Sequence, residues 1–485
     1  MKVLVIDVGT SGVRAGVFDA SGAARHTQHR TVLPSSPAPG LVELDPVALA
    51  DAVVQVAQAA LLAAGPVDGV GIANQRATTV VWDRASGEPV GPGIGWQDLR
   101  TVGTCLTLQG EGIRVAPNAS ATKLAWLLDQ ADPDRRRDLC FGTVDTWVAH
   151  VLSGGALHVT DPTNAGVTGL LARGGQGWDE QVLQALRIPP AVLPEVVDSS
   201  GALGQARALP GAPPICGMAG DQQASLVGQG CTRPGLAKIT FGTGGMLDCC
   251  VGEQRPGDAV RGAAGTFPII AWRRRGRTVW GAEAIMLSAG TCVEWLRDDL
   301  GLLASAAESE AVAARCDDSG DVWFVPALRG LGTPVWDFGA RGTVLGITRG
   351  TGRPQLVRAV LQGVAHRGVD LVEAAESDTG LHFATLRIDG GMAANAVFVQ
   401  ELADALGRPV EVAPVVEATS LGAAYLAGMA LGMWADEDDV AAAWRPGQVV
   451  PPRLDDQARA ARRDRWLEAR SRAEQTIPEL SALDF

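Results

Sequence analysis

Basic charge is what this sequence is short of. Its 485 residues carry 41 Lys and Arg against 54 Asp and Glu, a formal net charge of −13. That balance argues against a general nucleic-acid binder, because phosphate backbones select basic surfaces. It leaves a nucleotide ligand open, since backbone N–H groups and a metal ion can hold phosphates. The eight cysteines are scattered apart from Cys249-Cys250, and no C-x-x-C spacing occurs. They read as structural thiols in a reducing compartment, and a cytoplasmic location is expected. The six histidines form no H-E-x-x-H cluster, so no zinc site is expected. No uninterrupted apolar run reaches the roughly eighteen residues of a membrane span. The N-terminus enters a β-like run at once, without the basic-then-apolar order of a leader. A single tyrosine, Tyr425, lies among small residues and reads as core.

What is present is the balance of a soluble globular protein, 46% hydrophobic and 20% charged. The length exceeds one ordinary core, so two large domains are expected. Residues 2–7 and 13–18 alternate as strands around a Gly9-Thr10-Ser11-Gly12 turn, and Asp19-Ala20-Ser21-Gly22 is a hairpin turn. Residues 47–64 have helical spacing, and 69–73 and 78–83 read as strands. Residues 237–241, the Gly242-Thr243-Gly244-Gly245 turn and residues 246–251 echo the opening strand-turn-strand order. One domain over 1–244 and a related one over 245–485 would account for the echo. Further on, helices at 353–375, 395–406 and 420–434 alternate with strands at 386–389 and 410–412. That alternation puts the chain in the α/β class. Residues 459–473 are charged and read as a helix with a solvated face.

Four segments carry chemistry. In Ile6-Asp7-Val8-Gly9-Thr10-Ser11-Gly12-Val13-Arg14, a strand delivers a carboxylate to a glycine turn with two hydroxyls. The turn offers donors to phosphate oxygens, and Asp7 can hold Mg²⁺ directly or through water. The same residues also make an ordinary tight hairpin. Thr240-Phe241-Gly242-Thr243-Gly244-Gly245 lets backbone approach a charged ligand closely. Asp389-Gly390-Gly391-Met392-Ala393-Ala394-Asn395 suits a base or ribose against backbone, or a plain strand-to-helix turn. In Gly217-Met218-Ala219-Gly220-Asp221-Gln222-Gln223-Ala224, an acid opens a helical stretch. It serves either as a cap or as a base that deprotonates an attacking hydroxyl.

Together these segments resemble the FGGY family of carbohydrate kinases, most closely its glycerol kinase branch. The resemblance runs from residue 3 to about 434. It includes Gly71-Ile72-Ala73-Asn74-Gln75-Arg76, Trp96-Gln97-Asp98-Leu99-Arg100-Thr101 and Thr160-Asp161-Pro162-Thr163-Asn164-Ala165. Gly330-Leu331-Gly332-Thr333-Pro334-Val335-Trp336-Asp337 also fits, and Lys123-Leu124-Ala125-Trp126 fits in part. The resemblance implies two ribonuclease H-like domains, of the actin, Hsp70 and sugar-kinase type, with an ATP cleft between them. It implies ATP-dependent phosphorylation of a small polyol or sugar, with ATP and Mg²⁺ required. Asp221 would be the catalytic base and Asp7 the metal ligand. Arg76, Trp96, Asn118, Asp221, Gln222 and Met246 would line the acceptor pocket. Thr10, Ser11, Arg14, Gly242, Thr243, Gly290, Gly391 and Asn395 would lie along the nucleotide. A homodimer is the assembly common in the family.

Three positions depart from the glycerol kinase pattern. Ala77 stands where those enzymes carry a Glu that hydrogen-bonds glycerol, Asn118 where they carry Tyr, and Met246 where they carry Phe. Losing a charged partner costs a buried hydroxyl about 1.5–3 kcal/mol, one to two orders of magnitude in binding. The changes favour a polyol or ketose larger than glycerol; the alternative is a divergent glycerol kinase with a repacked pocket. Gln75-Arg76-Ala77-Thr78 lacks the Gln-Met-His-Gly of xylulokinase-like members, which ranks xylulose lower. An actin- or Hsp70-like ATPase would share Asp7 and the glycine turns but has no need of Trp96 beside Arg76. A catalytically idle sensor has no need to keep both Asp7 and Asp221.

Overall fold

The computed structural model describes residues 1–414 and 417–483. Thirteen strands form one long sheet. In chain order they are β1 (Lys2–Gly9), β2 (Gly12–Asp19), β3 (Ala24–Thr31), β4 (Gly69–Asn74), β5 (Ser200–Gln205), β6 (Pro214–Gly220) and β7 (Ala237–Phe241). Then come β8 (Gly245–Gly252), β9 (Phe267–Arg274), β10 (Arg277–Met286), β11 (Leu386–Asp389), β12 (Val410–Val412) and β13 (Gln448–Val450). Their spatial order is β13-β12-β11-β7-β8-β10-β9-β5-β6-β4-β1-β2-β3.

The order contains one pattern twice. β1 pairs antiparallel with β2, β2 antiparallel with β3, and β1 parallel with β4, which is parallel to β6. In the second half β7 pairs antiparallel with β8, β8 antiparallel with β10, and β7 parallel with β11, which is parallel to β12. Within the sheet, the described strands of the two halves join through one residue pair, Ser200 of β5 against Arg274 of β9. This is the two-domain α/β architecture with the expected internal echo.

Both faces of β1 are covered, which is why it reads as a near-continuous apolar run. Leu4, Ile6 and Val8 face α1 (Pro46–Ala64) through Leu49, Val53 and Val56. Helix α1 starts at the Asp45 cap, whose Oδ1 accepts from the Val47 and Ala48 N–H groups at 2.9 and 3.1 Å. Among the described residues it is the one helix long and apolar enough to cross a membrane; here its inner stripe packs on the sheet.

The other face of β1, Val3 and Val5, lies against a helix from the far end of the chain. The helices named from here are α2 (Asp221–Gly228), α3 (Gly290–Asp298), α4 (Arg353–Thr379), α5 (Ala396–Leu406), α6 (Ala418–Leu431) and α7 (Asp456–Ser471). Leu421, Ala423, Ala424, Tyr425 and Ala427 of α6 share a core with Val3, Val5, Phe18, Ala73 and Ala219. Helix α6 also crosses α2 at backbone contact. A Cβ on Gly422 would collide with the Ala224 carbonyl, and one on Gly228 with the Ala418 carbonyl. Only glycine at both points lets the helices approach so closely.

One expectation is corrected. Helix α7 is not merely a solvated face. Trp466 is fully buried beside Val325, Ala327 and Leu331, and its ring stacks on His366 with centroids 5.3 Å apart. Trp466, Ala469 and Ala473 follow helical spacing, but the surrounding arginines mask the stripe in the sequence. Two of them turn inward: Arg463 and Arg470 reach the buried Asp370 of α4 at 2.5 and 3.2 Å, and Arg367 pairs with it at 2.6 Å. Burial pushes the Asp370 carboxyl up, but the three guanidiniums outweigh it and hold it at about 2.

Candidate active site

Strands β4 and β6 run parallel, and Asn74 lies opposite Gly220. Their next residues, Gln75-Arg76 and Asp221-Gln222, therefore emerge side by side at one sheet edge. Ligands of open α/β sheets bind beyond such carboxyl ends. The turn after Asp161 ties the two ends together. Asn74 Nδ2 donates to Asn164 Oδ1 at 2.8 Å, and the Gly220 N–H donates to Thr163 Oγ1 at 2.8 Å. Asp161 accepts in turn from Thr163, Asn164 and Ser199.

Asp221 is the first residue of α2, and its Oδ1 accepts from the Gln222 N–H at 2.8 Å. Burial raises its carboxyl above the usual range, and Arg76, with Nε 3.5 Å from Oδ1, opposes that rise. A raised carboxylate facing a cleft suits a general base. Arg76 is held from three sides: Nη2 pairs with Glu283 at 2.7 Å and Nη1 donates to Gln223 Oε1 at 3.3 Å. Next along the chain, Ala77 is buried with φ of 61°, a left-handed conformation unusual for a residue with a Cβ. Its carbonyl is pinned by Ser120 Oγ at 2.9 Å.

Trp96 is 37% exposed, and its Nε1 donates to Thr10 Oγ1 at 3.3 Å. Trp96 thus touches the first glycine turn. Buried Lys123 joins Trp96 to Asn118, donating to the two carbonyls at 3.0 and 3.2 Å. Burial lowers its ammonium to about 8. Asn118 lies exposed at this rim, and Met246 is half-buried on β8.

Asp7 ends the apolar part of β1. Burial raises its carboxyl to about 7, against the hydrogen bond from Ser420 Oγ at 3.1 Å, and Asp221 adds to the rise. Carboxylates raised by burial and mutual repulsion favour a nearby cation, and their oxygens are the hard donors Mg²⁺ takes. Among the described residues no group of three or more acidic, His or Cys side chains could hold a metal alone. Mg²⁺ binding through one or two carboxylates plus waters and substrate phosphates matches that donor set. Thr10, Ser11 and Arg14 flank Asp7, and Arg14 pairs with Glu417 at 2.9 Å.

The other glycine segments converge opposite. The Gly290 N–H donates to the Gly242 carbonyl at 2.8 Å, so α3 starts against the second glycine turn, and Thr243 projects exposed from it. Gly390, with φ of 89°, packs on the Phe241 backbone. Gly391 is exposed beside it. Asn395 caps α5, accepting from the Phe398 N–H at 3.0 Å, while its Nδ2 donates to Ser309 at 3.0 Å. The amide keeps a second N–H and a second lone pair for a further contact.

Three residues at the site escape sequence reasoning: Lys238, Asp248 and Glu283. Each is a lone charge inside an apolar strand, and only strand register brings them together. Lys238 of β7 lies opposite Asp248 of β8, which lies opposite Glu283 of β10. Lys238 Nζ is 2.7 Å from Asp248 Oδ2, with both side chains fully buried. It also donates to Gln222 Oε1 at 2.8 Å and to Thr240 Oγ1 at 3.0 Å. Burial raises the Glu283 carboxyl; Arg76 opposes the rise and Asp248 adds to it.

Residues 2–228 match the N-terminal domain, and residues 237–431 the C-terminal domain, of the FGGY family of carbohydrate kinases. The chain belongs to that family. It is a carbohydrate kinase, which transfers phosphate from ATP to a hydroxyl of a small polyol or sugar. It is 43% identical to a glycerol kinase of Aromatoleum aromaticum over 97% of this chain and 98% of that protein. It is 41% identical to glycerol kinase 2 of Thermotoga maritima over the same shares. Among solved structures it resembles the glycerol kinase of Plasmodium falciparum with ADP, at a TM-score of 0.91, 29% identity, and coverage of 97% of this chain and 98% of that one.

Proposed function

We propose that the acceptor is a polyol or ketose of four or more carbons, bound against residues 1–244, with ATP held mainly by residues 245–485. The observation that carries this reading is Ala77. Its methyl is buried directly after Arg76, where a carboxylate would bind the hydroxyls of glycerol. Asn118 at the rim and Met246 in the wall leave more room than the aromatic rings they replace. A second reading, glycerol itself, is favoured by the 43% identity to a glycerol kinase over nearly the whole chain.

Asp221 accepts the proton as the acceptor oxygen attacks the γ-phosphate, and the position of Arg76 keeps its carboxylate aligned. Trp96 covers the acceptor. Thr10, Ser11, Arg14 and Thr243 face the phosphates, while Gly242, Gly290, Gly391 and Asn395 lie along the nucleotide. Asp7 holds Mg²⁺, which when bound offsets the charge on the phosphates. Closure of the cleft expels water before transfer.

The experiment is ATP-dependent ADP release over glycerol, erythritol, the pentitols and common ketoses, for the wild type and Asp221→Asn in parallel. A four- or five-carbon acceptor with the highest kcat/KM supports the first reading, and glycerol outperforming all of them gives the second. The variant keeps its shape but loses the base, so its turnover falls at least about a hundredfold. Near-normal turnover in Asp221→Asn overturns the assignment of the base.

A further inference from the structure

Lys238, Asp248 and Glu283 form a row across three neighbouring strands, beneath the residues that face the acceptor. Burying an ion pair completely is costly, and replacing such a pair by apolar residues is often neutral or stabilising. A buried pair between central strands is therefore a poor source of stability. Its outputs are specific, however. Lys238 donates hydrogen bonds to Gln222 and Thr240 and forms an ion pair with Asp248. Because Gln222 Oε1 accepts from Lys238, the Gln222 NH₂ group is the end left to face the cleft. At the other end of the row, Glu283 pairs with Arg76 at 2.7 Å. Asp248 sits between the two cations, and neither of its oxygens has a hydrogen-bond partner; the ion pair with Lys238 is what holds it.

We propose that Lys238 and Asp248 are positioning residues for the phosphoryl acceptor. Lys238 fixes the Gln222 amide so that it presents N–H to an acceptor oxygen. Asp248 holds Lys238 in place and, through Glu283, sets the side of Arg76 that faces Asp221. The inference rests on the acceptor site proposed above, and it assigns these two residues a role on acceptor binding and none on the nucleotide.

The test is the double variant Lys238→Met with Asp248→Leu, which removes both charges of the pair together. Melting temperature, kcat and the separate KM values for ATP and for the best acceptor of the panel are measured. The expected result is a folded enzyme whose acceptor KM rises about tenfold or more, as for a lost hydrogen bond to a bound group. The KM for ATP stays at the wild-type value. Adding Gln222→Ala to the double variant produces little further loss, although Gln222→Ala alone raises the acceptor KM, because the two act in series. A folded double variant with the wild-type acceptor KM, or one whose two KM values rise together, overturns the proposal. Asp248→Asn, which keeps the volume, carries the test should the double variant fail to fold: a selective rise in acceptor KM supports the role and an unchanged KM overturns it. Failure of the underlying acceptor site appears separately, as wild-type enzyme with no turnover on any member of the panel.

Discussion

Asp221 and Arg76 stand within ion-pair distance because two parallel strands end in register. In the acceptor reading proposed above, the residue that sets selectivity is Ala77, which adds a methyl and nothing polar beside them. Ala77→Glu would put a carboxylate next to Arg76. The expected outcome is a gain of about tenfold or more in kcat/KM for glycerol relative to the larger acceptors, from one charged hydrogen bond. Steady-state kinetics on glycerol and a pentitol side by side checks it, and an unchanged ratio would remove the pocket argument. The residues facing the cleft were legible because they sit in glycine-flanked motifs, such as Gly220-Asp221 and Gly9-Thr10. Lys238, Asp248 and Glu283 were not, since a charge flanked by apolar residues in a strand reads as solvent-facing until register shows what lies opposite. Glu283 in particular is 207 positions from its partner Arg76 (283 − 76), a separation no local pattern bridges.

At the scale of elements, the strands at 237–241, 386–389 and 410–412 form over the residues expected. They are short, largely apolar runs bounded by glycine, proline or a helix start, so pattern and punctuation agree. Helix α7 shows where that reading fails. Two inward residues, Trp466 and Ala469, carry its packing, while the arginines around them cover the same surface with their stems and present charge at their tips. Its anchor is Asp370. This carboxyl lies below its ordinary value, so it contributes stability that is present above the unfolded value near 3.8 and lost as pH falls toward about 2. Asp370→Asn leaves the buried Arg367 guanidinium without its counter-charge, while Arg463 keeps Glu373 and Arg470 keeps Glu474, and costs about 3–5 kcal/mol at neutral pH. Urea unfolding at pH 7, 4 and 3 is the check: the gap between wild type and variant narrows as the pH drops below 4. A gap of constant size would show that the ionised carboxylate is not what anchors the helix.

Across the whole molecule, the crossing of α2 and α6 links Asp221, the proposed base, to the packing of both halves. Gly422→Ala would drive a methyl into the Ala224 carbonyl and force the helices apart. Overpacking of this kind costs about 1–3 kcal/mol. Asp221 sits at the start of the displaced helix, and a shift of about 1 Å at a reacting group can cost a hundredfold in rate. The expectation is a variant that melts somewhat earlier and has lost far more turnover than stability; calorimetry alongside single-substrate kinetics measures both. Equal and modest losses would mean that α2 carries no positional information to the base.

The same helix pair has a bearing on how the chain matures on the ribosome. The sheet of β1, β4 and β6 is made early, yet α6, which covers Val3, Val5, Phe18 and Ala73, is translated some two hundred residues later. Until α6 emerges, the apolar face it covers stays exposed, so the amino-terminal half is expected not to fold autonomously. Residues 1–236 expressed alone are expected to bind a hydrophobic dye and to aggregate, and a soluble, cooperatively melting fragment would refute this.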